Sequence, residues 1–264
     1  MKKKETVERV VPGELSWEEY GLEHQQRYEY FKSYYAGKKI LDCACGSGYG
    51  SFYISNSGAT SVLGIDIAGE IIETNKKNYL NPNLQYKKED CSDLRVLKET
   101  FDVIVSFETL EHLTSPHLFI KSAKEALNPG GIFICSTPNK MRLSGAGHIN
   151  KYHLHEMNYG EFHQAMAESF EIVSCLHQTE TREYQRYMEV KFMIGTAENR
   201  LVWYFFPRIE NMIRKLLGKS FEKVSYINPT LGFQYAGDME ILPLVENKDW
   251  HKTFVIIGRK KNES

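Results

Sequence analysis

Short apolar runs recur along the chain, and between them the apolar residues return every three or four positions. The runs lie at 39–43, 61–66, 84–90, 101–107 and 131–137, and each reads as a strand. The stretches 49–56, 70–78 and 118–127 have helical spacing. Strands that alternate with helices five times predict a parallel, doubly wound sheet. Ahead of the first strand, residues 16–35 predict a helix. Ser16 is its N-cap, Glu19 stands three positions on, and Tyr20, Tyr28 and Phe31 form an aromatic stripe. Beyond the fifth strand come a helix over 156–168, a strand over 170–176 and a closing strand over 253–258. About 75 residues separate the last two strands, far more than a hairpin connection needs. The expected layout is an N-terminal helical extension (1–36), a core made of 37–178 and 251–264, and an insert or cap (179–250).

The first strand runs into three glycines at alternate positions, Gly46, Gly48 and Gly50. A strand that ends in such a loop and opens a helix is a nucleotide-binding signature, because glycine lets the backbone turn sharply and a ligand come close. The spacing G-x-G-x-G differs from the G-x-G-x-x-G of dinucleotide sites. Asp42 stands four residues before the first glycine. A carboxylate so placed disfavours a pyrophosphate and suits a cationic ligand end, such as an amino group and a sulfonium. That combination points to S-adenosylmethionine. The second strand ends in Asp66, 18 residues beyond Gly48. This is close to the spacing at which such folds set a carboxylate on the ribose hydroxyls. The third strand closes on Asp90, placed to meet the adenine amino group. Ligands in these sheets sit at the carboxyl ends of the strands, and all these polar residues fall at that edge.

Composition narrows the picture in three ways. A net charge of −1 supplies no broad basic field, so a nucleic-acid partner is not expected. Five cysteines (Cys43, Cys45, Cys91, Cys135 and Cys175) show no Cys-x-x-Cys pair, and four lie in strands or at strand ends, which predicts buried free thiols in a reducing, cytoplasmic compartment. The charged start, Met1 to Glu5, is not followed by an apolar stretch, and no run of about 18 apolar residues occurs, so neither a secretion signal nor a membrane span is expected.

Taken together these residues resemble the class I S-adenosylmethionine-dependent methyltransferases. The matching pieces are residues 41–50, 64–67, 89–91, 101–113 and 127–131 with 136–139, in the family's order. Residues 23–28, 106–112 and 150–156 further resemble a bacterial group of O-methyltransferases found beside glycosyltransferases in sugar and polysaccharide pathways. The resemblance implies a Rossmann-like α/β fold with a seven-stranded sheet, an N-terminal helix and a long insert before the last strand. It implies cofactor contacts from Asp42, Gly46, Gly48, Asp66 and Asp90, a lining by Phe107 and Glu108, and an extension of the set to Cys43, Ala44, Ser47, Ile67, Cys91 and Ser92. The sequence departs from the family at Ala44, where a glycine or another small residue is usual.

Methyl transfer asks little of a protein beyond alignment and, for a hydroxyl acceptor, removal of a proton. Two arrangements are open. In one, a histidine is the base: His112 just past the fourth strand, or His148, His153 or His155 on the loop after the fifth. In the other, Glu108, Glu111 and His112, with His153, bind a divalent ion such as magnesium or manganese, which lowers the pKa of the acceptor hydroxyl. Glu108 is a candidate catalytic residue in either. The segment 145–148 predicts a hinge. In the insert, residues 199–217 predict a helix carrying Trp203, Tyr204, Phe205 and Phe206, with Arg208, Arg214, Lys215 and Lys219 nearby. They suit either a substrate wall or a homodimer face. The expected acceptor is a small molecule or glycan, first of all a sugar hydroxyl. An RNA ribose, a small phenol, or a role as an inactive cofactor-binding partner module are the alternatives.

Overall fold

Eight strands, five α-helices and three short 3-10 helices make up the regular structure among the residues that the computed structural model describes, 12, 15–140, 152–180, 239–243 and 252–261. The strands are β1 (Lys39–Cys43), β2 (Ser61–Asp66), β3 (Leu84–Lys88), β4 (Phe101–Ser106), β5 (Leu127–Pro138), β6 (Glu171–Glu180), β7 (Met239–Pro243) and β8 (Thr253–Arg259). The helices are α1 (Leu15–Tyr30), α2 (Tyr49–Ser55), α3 (Gly69–Asn78), α4 (Pro116–Glu125) and α5 (Tyr159–Ala167). The sheet order is β3-β2-β1-β4-β5-β8-β6-β7. β3 to β5 pair in parallel, while β8 is antiparallel to both β5 and β6. The class I sheet expected from the sequence is therefore present, and the insert adds β7 as one more strand, antiparallel along β6.

The central strands are buried on both faces, as parallel strands covered by helices must be. Side chains of a strand alternate between the faces, and two cores follow. Leu41, Ile104 and Phe133 point to one face, where Phe119 of α4, Phe162 of α5 and Phe254 join them. Ile40, Val103, Val105 and Ile134 point to the other, under Tyr28 of α1, Ile54 of α2, Phe31 and Tyr35. Each of these large apolar side chains is nearly or fully buried, and trimming one to alanine costs about 2–5 kcal/mol. Helix α5 starts at Asn158, whose side chain accepts from Glu161 N–H while the Glu161 carboxylate accepts from Asn158 N–H, a full capping box.

Several boundaries moved. The predicted N-terminal helix breaks after Tyr30 into a separate 3-10 turn over Lys32–Tyr34. Leu127, expected as the last residue of the helix over 118–127, and residues 128–131, expected to close that helix, all belong to β5, which carries a register irregularity against β4 between Phe101 and Val103. The expected helix at 199–217 with its aromatic and basic residues, His148 and the 145–148 hinge all lie outside the described residues. No helix among the described residues is long and apolar enough to cross a membrane.

Candidate functional site

The order of the parallel strands reverses between β1 and β4, and doubly wound sheets take their ligands at the carboxyl ends beside such a reversal. The loop after β1 is held there by side chains from three elements. The Asp66 carboxylate at the end of β2 accepts from Gly46 N–H (3.1 Å) and Ala68 N–H (2.8 Å). Asn75 of α3 donates from Nδ2 to the Gly46 carbonyl (2.8 Å), and the Tyr86 hydroxyl of β3 donates to the Gly48 carbonyl (2.6 Å). Gly48 has a φ of 80°, and a Cβ on it would stand 2.6 Å from the Asn75 side chain. A Cβ on Gly50 would lie 2.1 Å from the Tyr28 ring. Both positions thus require glycine, one for backbone conformation and one for the close approach of α1. Ala44 adopts a left-handed φ of 52°.

Asp42 is fully buried. Its two oxygens accept from the Ser51 hydroxyl (2.6 Å) and the Tyr28 hydroxyl (3.2 Å). Burial raises its pKa to about 7, against the pull of those two hydrogen bonds. Cys43 and Cys91 are buried beneath the same edge, and Ser47 lies half-buried in the loop. Ile67, directly after Asp66, is 62% exposed, an apolar surface beside that carboxylate. Asp90 is exposed just beyond β3 and accepts from both Ser92 N–H (2.8 Å) and the Ser92 hydroxyl. A carboxylate acceptor beside an exposed apolar side chain is a combination that could hold a nucleoside, the carboxylate toward sugar hydroxyls and Ile67 toward a base.

A second cluster lies past β4. Phe107 is buried, and Glu108 takes a φ of 51°, an uncommon conformation for this residue type. Its carboxylate accepts from the Ser136 hydroxyl of β5 (2.8 Å). Glu111 is 1% exposed and accepts from the Thr137 hydroxyl (3.2 Å). Burial pushes its carboxyl well above the usual range, and the charge of Glu108 pushes it further, while His153 and Thr137 oppose the rise. The Glu111 carbonyl receives N–H bonds from Leu154 (2.7 Å) and His155 (3.1 Å), which fixes the segment 152–158 against this turn.

That segment brings His153 to His112, with ring centroids 5.0 Å apart. His112 Nδ1 faces the Tyr152 carbonyl at 3.1 Å, so Nδ1 carries the proton and the lone pair is on Nε2. His153 Nδ1 faces the Glu156 carboxylate at 3.1 Å, with the same consequence. One ligand atom each from Glu111, His112 and His153 lie within 4.8 Å of one another. A carboxylate and two imidazoles whose far nitrogens donate to a carbonyl and a carboxylate form a donor set that suits a divalent cation. Glu108, expected in the metal set, stands outside this trio with its carboxylate on Ser136. His155, an alternative base, turns its Nε2 to the Thr114 carbonyl (3.1 Å). Residues overlooked in the sequence include Tyr28, Ser51 and Glu156. The His-x-x-Glu spacing of 153–156 was the one available signal among them.

Residues 41–135 match the family described as "Methyltransferase domain". A protein of Mycolicibacterium smegmatis named "Probable S-adenosylmethionine-dependent methyltransferase" is 30% identical over 175 residues, 65% of this chain and 66% of that protein. A ubiquinone biosynthesis O-methyltransferase of Haemophilus ducreyi is 37% identical over 111 residues, 39% of this chain and 47% of the relative. The chain thus spans two thirds or less of the length of these curated relatives. Among solved structures, an S-adenosylmethionine-dependent methyltransferase from Mesorhizobium loti superposes with a TM-score of 0.54 at 16% identity, covering 90% of this chain and all of that one. The cyclase SpnF reaches 0.57 at 17% identity, covering 97% and 86%. These likenesses show the fold, and the two names show that the fold alone does not set the reaction.

Proposed function

We propose that this chain, whose residues 41–135 form a methyltransferase domain within a class I methyltransferase fold, moves the methyl group of S-adenosylmethionine to a hydroxyl of a small acceptor, first of all a sugar in a nucleotide-sugar or glycan precursor. The observation that carries the reading is the junction of two clusters at one sheet edge. A locked glycine loop with Asp66 and Ile67 stands on one side, and the Glu111–His112–His153 group stands beyond β4 on the other. The cofactor supplies an activated methyl on a sulfonium. The chain holds Asp66 for the ribose, keeps Asp42 near the cationic end and sets an imidazole where an acceptor hydroxyl would approach. His153 is the better placed of the two histidines to act as base, because the Glu156 carboxylate at Nδ1 orients the ring and leaves Nε2 to face an acceptor. Its dyad has the base–orienter geometry of a general base.

The trio of ligand atoms favours a metal-assisted version of the same reaction. Glu111, His112 and His153 would hold the ion, whose charge would keep Glu111 ionised in its buried position and lower the pKa of a bound hydroxyl. The expected result of the test is release of S-adenosylhomocysteine with sugar nucleotides and not with short RNA or small phenols. A strong chelator is expected to cut that rate tenfold or more, with recovery on adding magnesium or manganese. Turnover indifferent to the chelator removes the metal and leaves His153 as base. Absence of turnover with every acceptor class, with cofactor still bound, sinks the catalytic reading in favour of a binding module.

A further inference from the structure

Ser136 and Thr137 are consecutive residues near the carboxyl end of β5, and both are fully buried. Each hydroxyl holds one of two acids that follow β4. Ser136 Oγ accepts from Glu108 N–H (3.2 Å) and donates to the Glu108 carboxylate (2.8 Å), so it clasps both the backbone and the side chain of one residue. Thr137 Oγ1 donates to Glu111 Oε2 (3.2 Å). The other Glu111 oxygen, Oε1, stands 3.9 Å from His112 Nε2, on the side of the trio. Consecutive side chains of a strand point to opposite faces of the sheet, so the two hydroxyls draw the two acids apart.

Glu108 and Glu111 are three residues apart at a tight turn, and the charge of Glu108 is felt by Glu111. That spacing could bring both carboxylates to one ion. Glu108 is kept on Ser136 instead, at a left-handed φ of 51° that is strained for a residue with a side chain. We infer that Ser136 and Thr137 are positioning residues that set the number of protein ligands: Thr137 aims Glu111 at the ion, and Ser136 keeps Glu108 off it. This rests on the metal-assisted reading above. Three protein donors leave coordination positions open to an acceptor, as catalytic metal sites do. A fourth carboxylate closes one of those positions and raises affinity by adding charge. Neighbouring hydroxyls thus have opposite duties, one strengthening the site and the other holding its affinity down so that the acceptor has room.

Calorimetric titration of the full chain with manganese(II) tests this, with release of S-adenosylhomocysteine in the presence of sugar nucleotides as a second readout. Thr137→Val is expected to weaken manganese binding tenfold or more, while Thr137→Ser, which keeps the hydroxyl, stays within threefold of the wild type. Ser136→Ala is expected to do the reverse: manganese binds tenfold or more tightly, and turnover at saturating metal falls. Glu108→Gln removes the spare carboxylate, so manganese affinity stays within threefold, and Ser136→Ala combined with Glu108→Gln loses the gain. A tenfold loss of manganese affinity in Glu108→Gln overturns the inference, because Glu108 is then already a ligand. So does a change of the same sign in Ser136→Ala and Thr137→Val, which is what loosened packing of β5 produces, and so does an affinity that neither substitution alters. A wild type that takes up no manganese removes the ion and both roles with it. Release of S-adenosylhomocysteine by that same sample leaves the methyltransferase reading standing.

Discussion

Side chains on the β1–β2 side of the cleft hold a backbone loop, whereas side chains beyond β4 hold one another. Asp66 accepts from Gly46 N–H, Asn75 donates to the Gly46 carbonyl and Tyr86 donates to the Gly48 carbonyl. Beyond β4, Glu108 accepts from Ser136, Glu111 accepts from Thr137, and the rings of His112 and His153 stand 5.0 Å apart. Distance along the chain does not divide the two sides, since Tyr86 reaches Gly48 across 38 residues and Glu111 reaches Thr137 across 26. What divides them is that the first fixes backbone and the second gathers titratable groups.

Four measurements would break or sharpen this contrast. The largest effect is expected at Asp42, where the two sides meet. Its pKa is raised from 3.8 to about 7 in the folded protein. The protonated form is therefore the one the fold favours: its contribution is complete below pH 4 and is lost as the pH climbs through 7. That loss amounts to about 4 kcal/mol at the limit. Denaturant titrations of the wild type and Asp42→Asn between pH 4 and pH 8 should diverge by an amount of this order, with the wild type the steeper. Parallel curves would mean that Asp42 is ionised throughout.

Next in size is His153→Ala. As general base it is expected to contribute about a hundredfold or more to kcat. Cofactor affinity should stay within threefold, because the residue stands beyond β4, apart from the glycine loop. A fall in cofactor affinity as large as that in kcat would dissolve the division between the sides. Asp66→Ala should do the reverse, weakening S-adenosylhomocysteine tenfold or more by calorimetry, since both the ribose acceptor and the anchor of Gly46 go together. The smallest change, Ala44→Gly, should raise stability by about 1 kcal/mol by relieving the left-handed φ, read as a higher denaturant midpoint. No gain would mean that the extra freedom of glycine in the unfolded chain offsets the relief.

The two sides also differ in what could be read ahead of the structure. The run from Lys39 to Gly50, Asp66 at the end of β2 and the alternation of strands and helices are local signals, and the parallel core follows from them. Burial of Asp42 beneath the hydroxyls of Tyr28 and Ser51 has no local signature, since Tyr28 belongs to a helix ahead of the sheet. The partnership of His153 with His112 depends on the chain returning after β5. β7 was missed because a five-residue strand inside a long insert is specified by the edge it joins, not by its own pattern. Arg27 lies on the same helix as Tyr28, and only tertiary packing buries it beside Gln178 of β6 and the Phe107 ring.

β8 comes last of the strands along the chain but lies between β5 and β6 in the sheet. A ribosome delivers β1 to β5 first, and these can pair in parallel as they emerge. β5 must then wait with a bare edge, and β6 with β7 has nowhere to dock, until residues 253–259 are released. Closure of the sheet therefore waits for β8. An exposed edge strand is a template for pairing with another chain, so the interval before β8 arrives is the period in which the nascent protein is most open to aggregation.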